Sequence, residues 1–196
     1  RSRHLHLIGQ TGTGKSNLLL NMIGQDLAND RGVALLDPHG DLAEAAVALM
    51  PSHRAHHLVY FDPADAERPI GFNVLDGVTE DTAPLVTDNL VSAFIHIWGK
   101  DGIGPRTQQV LRNSLRALMD TPGSTLVGIP RLLTDDRFRA IVTRRVRDPI
   151  VAAYWRDQFA NYDRRFAAEV TAPLLNKLDA ILGNPLFRNI VGQPKS

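Results

Sequence analysis

The stretch His4–Ala28, HLHLIGQTGTGKSNLLLNMIGQDLA, decides how the rest of the chain is read. Leu5-His6-Leu7-Ile8 is a short, mostly apolar run of the kind that forms a buried strand, and Lys15 to Ala28 carries Leu18, Leu19, Met22, Ile23 and Leu27 at helical spacing. Between the two, Gly9-Gln10-Thr11-Gly12-Thr13-Gly14-Lys15-Ser16 fits G-x-x-x-x-G-K-[ST] without deviation. Gly9, Gly12 and Gly14 let the backbone curl tightly, so that the N–H groups of the loop, Thr11 and Thr13 included, turn inward toward an anion. The start of the following helix adds unpaired N–H groups and the positive end of its dipole. Lys15 brings one positive charge to the β and γ oxygens of a nucleoside triphosphate, and the Ser16 hydroxyl suits a Mg²⁺ ion. The expected ligands are therefore ATP and Mg²⁺. Lys15 is the expected catalytic residue, Ser16 the expected metal ligand, and Gly9 and Thr11 to Ser16 the expected phosphate contacts.

Working outward, Gly32 to Leu36 (GVALL) reads as a second buried strand and His57 to Phe61 (HLVYF) as a third, with a short helix from Leu42 to Met50 between them. Strand–helix–strand–helix–strand predicts an α/β fold with a parallel sheet covered by helices. Three strands make a thin sheet, so the expectation is that it is incomplete in this chain, with further strands after Ser196 or before Arg1. Asp37 follows the second apolar run and is a candidate for the Mg²⁺ shell. It is followed by proline, unlike the usual acid pair at such a strand end, and it could equally cap the next helix, for which Asp41 is the better-placed residue. Asp62 after the third run also precedes a proline.

After Asn73 the pattern becomes helical. Stripes of apolar residues run from Asp81 to Trp98 and from Pro105 to Met119, and shorter helices are expected at Leu126–Leu133, Asp135–Arg147 and Pro149–Asn161. A longer one should run from Arg164 to Leu182, with Gly99–Gly104 as a link and Gly192–Ser196 as a linker. The expected division is residues 1–78 for the nucleotide-binding part and 79–196 for an all-helical module.

Bulk composition excludes several classes. Cysteine is absent, which rules out disulfides and thiolate metal sites. No apolar run reaches the roughly 18 residues of a membrane span, and the N-terminal residues lack a signal-peptide pattern. The histidines form no paired ligand set on a helix. Net charge is +1, but arginine outnumbers lysine 18 to 4. Eight arginines and only three acids fall between Arg137 and Arg165, a footprint that suits either DNA or an acidic protein surface as well as it suits a solvated helix. Asn176-Lys177-Leu178-Asp179 spells a guanine-reading signature by its letters, but it sits within an expected helix and reads as helix surface.

H-L-x-L-I-G-Q-T-G-T-G-K-S, then L-L-D-P-H-G-D-L, then P-I-G-F-N-V-L together resemble the conjugation-type ATPases of the FtsK/HerA superfamily, and within it the TraG/TraD-like coupling proteins of type IV secretion. Asn184-Pro185-Leu186 and the tail Arg188–Gln193 add to the likeness. The resemblance implies a RecA-like P-loop domain carrying a large all-helical insertion. It also implies a homo-hexameric motor that uses ATP to move DNA, or DNA and protein together, at the cytoplasmic face of a membrane, with secretion-channel or relaxosome proteins as partners. It further implies a Walker B strand and a glutamine-containing motif beyond Ser196, and an arginine reaching a neighbouring subunit's site, for which Arg106, Arg112 and Arg131 are candidates.

Overall fold

The computed structural model describes residues 4–195. They divide into two compact units, one ending at Phe61 and the other beginning at Asp62. The first holds helices α1 (Lys15–Ala28) and α2 (Asp41–Ala48) and a 3₁₀ segment, Ser52–His57. The second holds α3 (Ala83–Gly102), α4 (Pro105–Met119), α5 (Gly128–Thr134), α6 (Asp136–Thr143), α7 (Pro149–Ala153), α8 (Arg164–Leu182) and α9 (Pro185–Val191).

In the first unit α1 lies against α2. A side chain on Gly24 would come within 3.2 Å of Leu49, so this glycine sets how closely the two helices approach. Arg54 ties the 3₁₀ segment to the end of α1 by donating to the Leu27 carbonyl at 2.9 Å and the Arg31 carbonyl at 3.2 Å.

The expected parallel sheet is not formed: among the described residues there is no strand, and the α/β assignment is corrected to an all-helical architecture joined by irregular segments. A strand is stable only when neighbours complete its ladder and helices cover its faces. Neither condition is met. Ile8 is 86% exposed, Leu36 92% and Val59 80%, and Leu27 is the only buried residue among the described ones up to Phe61. The three runs carry strand-like composition without the burial that makes such composition pay. The third run is also shortened, because His57 closes the preceding 3₁₀ segment.

The second unit has a true core, and α4 is its axis. Leu111, Leu115, Leu118 and Val110 line its buried face, and α3, α5, α6, α7 and α8 all pack on it. From α8 come Leu174, Leu178, Val170 and Leu182 at turns of three or four residues. Four helix starts share one device: Asp135, Asp148, Asp163 and Asn184 each accept a backbone N–H of the helix they precede. Asn73, itself buried, donates to the Ser124 and Pro194 carbonyls at 3.0 and 2.9 Å, closing the unit across its ends.

The segment Pro149–Asn161 is not one regular helix. It winds as α to Ala153, as π over Tyr154–Gln158 and as 3₁₀ over Phe159–Asn161. The buried aromatics explain the change. Tyr154 and Phe159 are five residues apart, and only the wider π turn brings that spacing to one face. Trp155 stacks near Phe159 with centroids 4.9 Å apart and donates its indole N–H to the Asn113 carbonyl at 3.3 Å. The N-K-x-D letters fall inside α8, with Leu178 fully buried, so they form helix and not a base-reading loop.

Candidate phosphate-binding loop

The residues Gly9–Ser16 form a turn that runs directly into α1. Gly12 and Gly14 adopt φ of 83° and 86°, a left-handed conformation that side chains rarely tolerate. Gly9 is required for another reason: a Cβ there would stand 2.7 Å from the Thr13 hydroxyl, which donates to the Gln10 carbonyl at 2.8 Å. No side chain caps α1, and its first helix bond runs from Leu18 N–H to the Gly14 carbonyl at 3.0 Å. The preceding N–H groups at the helix end are thus not claimed by a cap.

The Lys15 ammonium folds over the loop and donates to the carbonyls of Gly9 at 2.7 Å and Gln10 at 2.6 Å. It is therefore held at the loop and not extended into solvent. Beside it, Thr11, Gly12, Gly14, Lys15, Ser16 and Asn17 line an open concavity of about 420 Å³. Positive-φ glycines, an uncapped helix start, a cation and a hydroxyl around one hollow are what a polyphosphate with a divalent ion requires, so the residues present fit Mg²⁺–ATP. Asn17 is an addition to the residues expected from the motif, and its position on the first turn of α1 is the signal that places it there.

Asp37 is held by backbone donors at the start of α2. Its carboxylate accepts N–H groups from His39 at 3.1 Å, Leu42 at 2.8 Å and Ala43 at 3.1 Å. Leu42 and Ala43 belong to the first turn of α2, so Asp37 caps that helix from four residues upstream, and Asp41, the better cap by sequence, is already inside it. Donation from His39, followed by that from Ala43 and Leu42, holds the Asp37 carboxyl below the ordinary carboxylate range. A depressed folded value means that the cap's contribution is complete above the unfolded pKa of about 3.9 and is lost as pH falls through the lower folded value. We expect the Leu42 and Ala43 amide resonances to titrate together with a midpoint below that of a free aspartate. Asp37→Asn should abolish this titration, and a midpoint at or above 3.9 would contradict the capping role.

The arginines considered for a neighbouring site are all engaged within the second unit. Arg112 pairs with Asp88, Arg131 pairs with Asp135 at 3.2 Å and lies 4.4 Å from the centre of the Phe138 ring, and Arg106 stands 3.8 Å from Glu169 and over Phe166. No helix among the described residues is long and apolar enough to cross a membrane.

No curated protein and no solved structure matches the chain. Residues 1–96, which include the whole of the loop just described, match the family described as helicase HerA, central domain. That match and the loop geometry together support an ATPase of the FtsK/HerA superfamily.

Proposed function

We propose that the chain is the ATP-binding part of a motor ATPase that couples ATP hydrolysis to DNA movement, of the kind serving conjugation or type IV secretion. The observation that carries the reading is the glycine-curled loop holding Lys15 at the start of α1, within a segment similar to a helicase central domain. The D-P-H-G-D and P-I-G-F-N-V-L segments point the same way. In this reading Gly9, Thr11, Gly12, Thr13 and Gly14 wrap the phosphates with backbone N–H groups. Lys15 offsets charge on the terminal phosphates, and Ser16 offers its hydroxyl to Mg²⁺. Bound ATP supplies the phosphoanhydride whose hydrolysis drives the work. Asp37 contributes by fixing the turn into α2. The helical module, from about residue 79, receives the cargo, and the working assembly is a homo-hexamer with secretion-channel or relaxosome partners on the cytoplasmic side of a membrane.

The test is ATP turnover by the full-length protein without DNA, with single-stranded DNA and with duplex DNA, using Lys15→Ala as the blank. Stimulation by either DNA, absent in the blank, is the expected result. Robust turnover indifferent to both would sink the DNA role and favour a motor for protein cargo.

A further inference from the structure

The arginines between 137 and 165 fall into two sets. Arg139 pairs with Asp136 and donates to the Leu132 and Leu133 carbonyls at 3.1 and 3.2 Å, capping the end of α5. Arg147 grips Asp120 at 2.7 Å, and Arg156 holds Asp157 through two bonds of 2.7 and 2.8 Å. These three are committed to the fold. Arg137, Arg144, Arg145, Arg164 and Arg165 are exposed, and among the described residues none of them is ion-paired with an acid.

Local helix electrostatics explains only part of the second set. Arg144 follows the last residue of α6, where a cation favours the helix. Arg164 and Arg165 open α8, where two adjacent cations oppose the helix dipole and repel each other, with no acid in the first turn to offset them. Asp163 is spent on the Phe166 N–H at 2.8 Å. Arg164 also lines an open groove of about 730 Å³, whose wall on α8 continues through Ala168 and Ala172. Those small side chains, one turn apart, leave room for an extended chain beside the helix.

Resting on the motor reading above, we propose that the unpaired arginines Arg164 and Arg165 at the start of α8, and Arg137, Arg144 and Arg145 on and just after α6, hold the phosphodiester backbone of the nucleic acid on the helical unit. A guanidinium not already paired offers a planar fork that matches a phosphate with two parallel bonds. Several such groups suit a repeating anion.

The test is equilibrium binding of a labelled oligonucleotide, single-stranded and duplex, to the full chain at salt concentrations from about 50 to 200 mM. The variants are Arg164→Gln/Arg165→Gln and Arg144→Gln/Arg145→Gln, with Arg156→Gln as the ion-paired control and circular dichroism to check folding. Each double variant should flatten the slope of log affinity against log salt by about 1.4 for single strands and about 1.8 for duplex, two phosphate contacts each, while Arg156→Gln leaves it unchanged. Unchanged slopes in both double variants, or an equal loss in the control, would overturn the assignment. So would salt-dependent binding of polyglutamate with none of the oligonucleotide, which would make this an acidic-protein surface. Because binding is read without turnover, DNA-stimulated hydrolysis with unaltered slopes removes this surface and leaves the motor, whereas altered slopes without stimulation keep the surface and remove the motor.

Discussion

Lys15→Ala is expected to cost at least about tenfold, and up to about a hundredfold, in affinity for Mg²⁺–ATP, and to reduce turnover to background. The magnitude follows from losing a charge-assisted hydrogen bond, about 1.5–3 kcal/mol, at about 1.4 kcal/mol per tenfold change. The structure also indicates what the variant should spare. Lys15 makes its two bonds to the carbonyls of Gly9 and Gln10 on an exposed loop, where water replaces the ammonium without leaving a buried acceptor unpaired. The loop's shape comes instead from Gly12 and Gly14 and from the Thr13 bond to Gln10, none of which involves the lysine. Lys15→Ala should therefore melt at the wild-type temperature. Titration with a fluorescent ATP analogue beside a thermal melt checks both statements. Retained affinity would show that this loop is not the nucleotide site. Lost affinity with a lowered melting temperature would show that the lysine holds the loop together. Gly9→Ala gives the complementary case: the lysine is kept, but the new methyl group would displace Thr13 and open the turn.

The helices were legible because their causes are local. The first and last residues of α1, α4 and α8 agree with the apolar stripes read from the sequence, and the Asp–Arg start of α8 and the Gly–Pro start of α4 are visible as letters. The loop was legible for the same reason, since eight consecutive residues contain the whole device. The strand-like runs were misleading because a strand's stability resides in partners that the run itself does not specify. GVALL has the composition of a buried strand, yet Leu36 is almost wholly exposed. Helix α9 has no counterpart among the helices expected from the sequence, although Asn184-Pro185 spells a cap and a first-turn proline, because seven residues carry too little periodicity to stand out. The π turn at Tyr154 was not legible at all: it answers to the packing of Trp155 and Phe159, which only the folded unit brings together. At the site, Asp37 is a candidate for two roles by sequence, and the capping role depends on donors two to six residues away that a turn must first bring round.

Leu115→Ala should be among the most damaging single truncations in the helical unit. Leu115 is fully buried on α4, the helix against which five others pack, and its neighbours Leu111 and Leu118 are equally inaccessible. Removing a leucine side chain from such a position costs the transfer of the lost carbons and the cavity left behind, about 2–5 kcal/mol. Collapse into that cavity is resisted because α6, α7 and α8 are fixed by their own Asp caps, and Asn73 bridges the Ser124 and Pro194 carbonyls. For a unit of this size the loss corresponds to a fall in melting temperature of about 6–20 °C. Leu36→Ala is the matched control: the same chemical change at a side chain 92% exposed should leave stability within about 0.5 kcal/mol. The contrast bears on the architecture as much as on one residue. If the first unit's apolar runs were packed as strands, Leu36→Ala would cost as much as Leu115→Ala. Equal losses in the two variants, measured by urea titration, would overturn the all-helical description of the chain, while a large loss at Leu115 and none at Leu36 would place its stability in the α4-centred core.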